Sequence, residues 1–263
     1  MTTKRINSRI LTILLVIIIY STSCERSIFG IKGEGNIVSQ TFTTDYFDEI
    51  FLTIDADVII KNDTETDITI EAQQNIIDNI ELEVKKDALK IKYDRNVSDH
   101  EDVKIYISVD YLQKIISTGS GDISVLSEYS GTDLDLDVTG TGDIIFNNTV
   151  DYTDLFLHIS GTGKIDIDGI FSQTRVETSG SGDIYIAGSS TDLIITTTGS
   201  GQFNGTDFEC ENAQITSTGF GDCNIFVNNL LDALLTGSGN IYYIGKPSIN
   251  SNISGTGRII DMN

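Results

Sequence analysis

Proline occurs once in this 263-residue chain, at Pro247, histidine twice, at His100 and His158, and cysteine three times, at Cys24, Cys210 and Cys223. So little proline leaves backbone donors free for uninterrupted β ladders. The cysteines and histidines do not fall at zinc-ligand spacing, and no cysteine is placed to act with a histidine as a nucleophilic pair. Positive charge is also scarce, with 17 Lys and Arg against 39 Asp and Glu and a net charge of -22. Nucleic acid and anionic head groups are repelled by such a surface. It suits cations, cationic partners, or simply the solvation of a long β surface. No Gly-rich stretch is followed by the Lys that a phosphate loop requires. The longest apolar stretch, residues 10–20 with Thr12 its one polar member, is too short to span a bilayer.

That stretch follows Lys4, Arg5 and Arg9 and leads to Ser21-Thr22-Ser23-Cys24. A basic start, a short apolar run and small residues before a cysteine predict a secretory signal over residues 1–23. Cys24 is then the lipidated N-terminus of the mature chain, although Ser21 stands where bacterial lipoproteins usually carry an aliphatic residue. The alternative is an ordinary signal peptide cut nearby. The lipid reading implies an exported protein anchored in the cell envelope, at the outer membrane. Cys210 and Cys223 then remain; they either pair or stay free, and Cys223 occupies a repeat position otherwise held by Ile or Phe.

What the chain does have is a repeat. Glycine doublets enclosing one residue stand at Gly119/Gly121, Gly140/Gly142, Gly161/Gly163, Gly180/Gly182, Gly199/Gly201, Gly219/Gly221, Gly237/Gly239 and Gly255/Gly257. Successive first glycines are 18 to 21 residues apart. A constant period of this size predicts a solenoid, in which each repeat buries its apolar face against its neighbours. Around each doublet the residues alternate. Ile115, Leu136, Leu157, Val176, Ile195 and Ile215 stand four before it; Ile123, Ile144, Ile165, Ile184, Phe203 and Cys223 stand four after. Period two makes these inward-facing strand positions. The predicted fold is all-β: a right-handed parallel β-helix of about 18–21 residues per coil. Each coil is a strand, a glycine corner, a second strand and a polar return. The glycines serve either φ > 0 or close backbone approach, and the hydroxyl residues beside them can bond backbone at the corner.

Upstream, residues 24–45 read as a tether and 46–114 as a β-rich leading region, with a helical turn within residues 73–80; the regular coils occupy 115–263. The doublets with their Asp-Ile sequel, Phe47-Asp48-Glu49-Ile50, Ala88-Leu89-Lys90-Ile91 and Val103-Lys104-Ile105-Tyr106-Ile107 together resemble the putative auto-transporter adhesin, head GIN domain family. The resemblance spans about residues 46–259. It implies an exported β-helical domain with an adhesin-like role and brings no catalytic motif.

Three sets of residues are candidates for chemistry. Asp122 and Asp143 lie in an outward column three after the first glycine, where stacked carboxylates repel and calcium would relieve them. The column lacks the nonapeptide calcium repeat, and Lys164, Gln202 and Asn240 dilute its charge. The column before each doublet is entirely hydroxyl, including Thr139, Ser160, Ser179, Thr198 and Thr218, and Phe220 interrupts the hydroxyls inside the doublets. This is a track for sugars or a protein partner, with Phe220 as a stacking ring, or else corner hydrogen bonding with Phe220 over a packing gap. Lys164 and Arg175 among aspartates could imitate the acid–base site of a polysaccharide lyase, but fold analogy is a poor warrant for activity. The reading is therefore non-catalytic and without a cofactor. Without an obvious polar cap after Ile260, end-to-end self-assembly is the structural alternative.

Overall fold

The computed structural model describes residues 30–263. The predicted signal segment and Cys24 lie outside the described residues. Strands dominate, and they stack in register as parallel rows. Leu89, Ile50, Ile115, Leu136, Leu157, Val176, Ile195, Ile215, Ala233 and Ser251 form one row. Ile105, Val58, Ile123, Ile144, Ile165, Ile184, Phe203, Cys223, Ile241 and Ile259 form a second on the facing sheet. All but the terminal Ser251 and Ile259 are essentially excluded from solvent. The fold is the expected β-solenoid, and its core is these stacked aliphatic ladders. From Ile165–Thr178 to Cys223–Leu235, strands run unbroken from the second sheet of one coil into the first sheet of the next. Their middle residues, with the starts of Ser130–Val138 and Val150–Ile159, make a short third face, on which Ser130, Asp151, Ile170, Ser189 and Glu209 share a row.

The stack extends back into the leading region. Glu49–Leu52 and Asp57–Lys61 form a coil directly against the one at Lys114–Ser117 and Ile123–Val125. On its other side lie Ala88–Tyr93 and Lys104–Ser108. The chain thus lays down an inner coil, builds outward, and returns to continue in the opposite direction. The outward excursion closes that end with antiparallel pairing: Ile80–Lys85 on Ala88–Tyr93, and Asp67–Gln73 on Lys104–Ser108. Lys86 and Asp87, both at positive φ, make the two-residue turn of the first hairpin. The expected helical turn is Gln74–Ile77, which buries Ile76 and Ile77 over the end of the core.

The tether expected over residues 24–45 is corrected where the structure describes it. Ile37–Thr43 pairs antiparallel along the whole of Asp67–Gln73, and Ile31–Lys32 pairs with Val97–Asp99. The buried Gln73 side chain, accepting from the Glu101 N–H (3.1 Å) and donating to the Gly35 carbonyl (3.2 Å), stitches these parts together. Backbone pairing, with most side chains exposed, holds Ile37–Thr43, so no hydrophobic pattern announces it.

At the corner of the innermost coil, Asp55 accepts from the Tyr93 hydroxyl (2.9 Å) and faces His100 Nε2 (3.1 Å). Partial burial works to raise the Asp55 carboxyl, but these two hydrogen bonds outweigh it and hold it below the ordinary value. A depressed carboxyl contributes stability that is present above its unfolded value and is lost as pH falls through the folded one. Wild-type melting temperature is therefore expected to drop from about pH 4 downward, and Asp55→Asn to make that acid limb shallower. A limb of identical slope in both proteins would remove Asp55 from the account. Because the side chain is half exposed, the effect is modest.

Candidate functional site

Each glycine doublet turns the chain between the two sheets, and stacking the turns makes a ridge along the solenoid. Both hydroxyl columns are exposed along it, from Thr118 and Ser120 to Ser254 and Thr256. The doublet glycines avoid positive φ, which is confined among glycines to Gly30, Gly35, Gly188 and Gly245. Of the two reasons anticipated for the doublets, the close approach is the one in use. A Cβ on Gly161 would lie 2.0 Å from the Gly140 carbonyl oxygen, and one on Gly182 would lie 2.0 Å from that of Gly163. The innermost coil carries Ile54-Asp55-Ala56 at this place, where the neighbouring chain instead leaves to pair with Ile31–Lys32.

Hydroxyls of the ridge are partly engaged in the corner. Thr198 and Thr218 donate to the Thr178 and Thr197 carbonyls of the previous coil (3.4 and 3.5 Å). Ser160 donates to Thr139 (3.3 Å), which donates to Asp137 (3.0 Å). His158 Nδ1 meets the other oxygen of Asp137 (3.1 Å), and the imidazole stacks beside Phe156. Ser179 is exposed on the same ridge. Phe220 is 74% exposed, so its ring fills no packing gap; it stands out from the ridge between Ser200 and Ser238.

The aspartate column has a structural task that the sequence reading missed. Asp122 Oδ1 accepts the Asp143 N–H (2.8 Å), Asp143 Oδ1 the Lys164 N–H (2.8 Å), Asp183 the Gln202 N–H (2.8 Å) and Asp222 the Asn240 N–H (2.6 Å). Asn240 continues the series to Arg258 (3.1 Å). Each side chain thus clamps the backbone donor of the next coil where the strand ladder has not yet begun, so the Asp-Ile pair after each doublet combines an outer clamp with an inner core residue. The only sequence signal is a short acceptor, Asp or Asn, before an inward Ile or Cys. Among the described residues, no three His, Cys, Asp or Glu side chains gather as metal ligands. Asp143→Ala, which strips the acceptor from the Lys164 N–H, is expected to cost about 1.5 kcal/mol in denaturant unfolding, and Asp143→Asn much less. Equal losses in the two variants would exclude the clamp.

Lys164 Nζ reaches Asp143 (3.9 Å) and Asp166 (3.7 Å) and lies over the Tyr185 ring. Arg175 sits on the other sheet, in register between Phe156 and Ile194. The two cations imagined beside an acidic lyase site are therefore not brought together. Cys210 and Cys223 are free and buried. Burial, with nearby carboxylates, pushes both thiols up to about 12, which makes them poor nucleophiles. Cys223 stacks between Phe203 and Ile241 as a small apolar residue. Among the described residues no helix is long and apolar enough to cross a membrane.

Comparison with known structures returns the same architecture. A putative adhesin from Parabacteroides merdae ATCC 43184 is 20% identical with a TM-score of 0.82, over 89% of this chain and 99% of that one. A putative adhesin from Parabacteroides distasonis ATCC 8503 is 21% identical with a TM-score of 0.85, over 88% and 99%. A putative lipid binding protein from the same organism is 22% identical with a TM-score of 0.83, over 89% and 99%. At these identities the likeness concerns the fold. No curated protein matches the chain. The family model for the putative auto-transporter adhesin, head GIN domain, matches residues 46–247, and the chain belongs to that family.

Proposed function

We propose that the protein is a non-catalytic, adhesin-like head of an exported lipoprotein, tethered to the outer membrane through Cys24, and that it binds glycan along the corner ridge. The observation that carries this reading is the ridge itself: two exposed columns of hydroxyls, the inner one interrupted by a single outward aromatic ring, Phe220, on a scaffold of the adhesin family. Hydroxyls at the inter-strand spacing of about 4.8 Å offer repeated donors and acceptors to an extended polar chain. The net charge directs the site toward neutral or cationic ligands and away from nucleic acid.

A glycan array probed with the purified mature protein and with Phe220→Ala tests it. Binding that falls with the ring removed supports the ridge. Equal binding excludes Phe220, and binding to no glycan overturns the reading in favour of a protein partner or of a lipid, as for the P. distasonis relative. No cofactor is included: calcium titration is expected to give no heat, and a heat abolished by Asp122→Asn or Asp143→Asn would instead make that pair a metal site. Metabolic labelling with a fatty acid, lost in Cys24→Ala, tests the anchor.

A second reading, self-association, draws on the last coil. Among the described residues Ser248–Ile253 pairs on one edge alone, and Ile249 and Ile253 are exposed there. A mass independent of concentration would remove it.

A further inference from the structure

A cleft of about 530 Å³ opens on the third face, next to the innermost coils, between Asp110-Tyr111 on one side and Ile170 on the other. Its volume falls within the range of small-ligand sites. Three carboxylates, Asp110, Glu128 and Asp151, line it with Thr149, and no Lys, Arg or His contributes. Carboxylates are common on a chain of this charge; this place is set apart by an exposed ring, carried on an anchored segment, beside the cavity.

The segment that carries Tyr111 is held at both ends. The Val109 N–H donates to Lys61 (3.0 Å) and the Gln113 N–H to Asp48 (2.8 Å). Two buried tyrosines hold its carbonyls: Tyr129 donates to Val109 (3.0 Å) and Tyr152 to Leu112 (2.6 Å). Burial pushes both phenols well above their ordinary value, which keeps them protonated as donors. Val109 and Leu112 are buried, whereas Tyr111 between them is 44% exposed. Gly131 makes room for the buried Tyr152 ring, from which a Cβ there would lie 2.8 Å, and the Tyr111 ring stands in ordinary contact with the same place at 3.6 Å. Across the cleft Ile170 is 54% exposed, in the row of Ser130 and Asp151.

We propose that this cleft binds one or two units of a neutral saccharide. A pyranose has an apolar face of C–H bonds and an edge of hydroxyls. The face stacks on Tyr111 and against Ile170, and the hydroxyls donate to Asp110, Glu128 and Asp151, which can only accept. Sugar acids and phosphates are repelled by the same carboxylates. Because the segment that carries the ring is already held, binding requires little ordering of the backbone. The proposal rests on the adhesive reading and supplies a second contact away from the ridge.

Titration calorimetry with N-acetylglucosamine, glucose, galactose and their β-linked disaccharides tests it on the mature protein, on Tyr111→Ala, on Tyr111→Phe and on Phe220→Ala. At least one neutral sugar is expected to bind. Tyr111→Ala should weaken it about tenfold or more, as for an aromatic anchor, while Tyr111→Phe stays within about threefold. An unchanged melting temperature in Tyr111→Ala excludes unfolding as the cause. Retained affinity in Tyr111→Ala overturns the cleft and leaves the ridge standing; loss in Phe220→Ala alone assigns the sugar to the ridge. Heat from putrescine or arginine methyl ester with none from any sugar overturns the saccharide assignment.

Discussion

Gly180→Ala is expected to destabilise the protein by about 3 kcal/mol or more, or to prevent folding. The new Cβ would stand 2.1 Å from the Gly161 carbonyl oxygen and 2.6 Å from that of Ser160, both backbone atoms that cannot rotate away. Relief requires the coils to part. Parting breaks the hydrogen bonds from Ser181 (3.1 Å) and Gly182 (3.2 Å) to Gly161, worth about 1 kcal/mol each, in addition to overpacking of about 1–3 kcal/mol. Gly35→Ala gives the contrast. There φ is +83 and nothing lies within 4 Å of the added Cβ, so only the left-handed strain of about 1–2 kcal/mol applies. Urea unfolding of the two variants separates crowding from backbone conformation. A Gly180→Ala protein as stable as wild type would mean that the coils do not press together at the doublets.

Leu157→Ala is the second large effect. Leu157 is fully buried between Leu136 and Val176 in the first row, and a cavity there is bounded above and below by ladders that cannot collapse without breaking register. The expected loss is about 2–5 kcal/mol. Glu177, one position along from Val176, points outward, and Glu177→Ala should change stability by less than about 0.5 kcal/mol. Similar losses in both variants would contradict the alternation of inner and outer residues.

Period and alternation made the rows legible before any coordinates, because a strand's two faces and a fixed coil length leave one arrangement in which Leu136, Leu157 and Val176 are all buried. Three features escaped for physical reasons. The aspartate clamps read as a repelling column, since sequence does not say that one oxygen of each carboxylate receives a backbone N–H. The closure of the first coils depends on antiparallel pairing of Ile37–Thr43 with Asp67–Gln73, a contact between segments about thirty residues apart whose outer strand carries little apolar signal. The Tyr111 cleft exists because Tyr129 and Tyr152, 20 and 40 residues beyond their partners, fix a loop that looks unremarkable by itself. The glycine doublets were legible as corners, while the choice between positive φ and close approach required the positions of neighbouring carbonyls.

The in-register stack underlies the ridge, the clamps and the cleft, and cross-linking reads it directly. Thr196 and Thr216 are outward partners on adjacent coils; at about 4.8 Å between strands their Cα atoms fall within disulfide range. In Thr196→Cys/Thr216→Cys, mild oxidation should form the bond rapidly, with the buried Cys210 and Cys223 silent. In Thr196→Cys/Gln214→Cys, the second site is displaced by two residues along the strand and should remain reduced. Cross-linking of the displaced pair, or of neither pair in a folded protein, would contradict the stack.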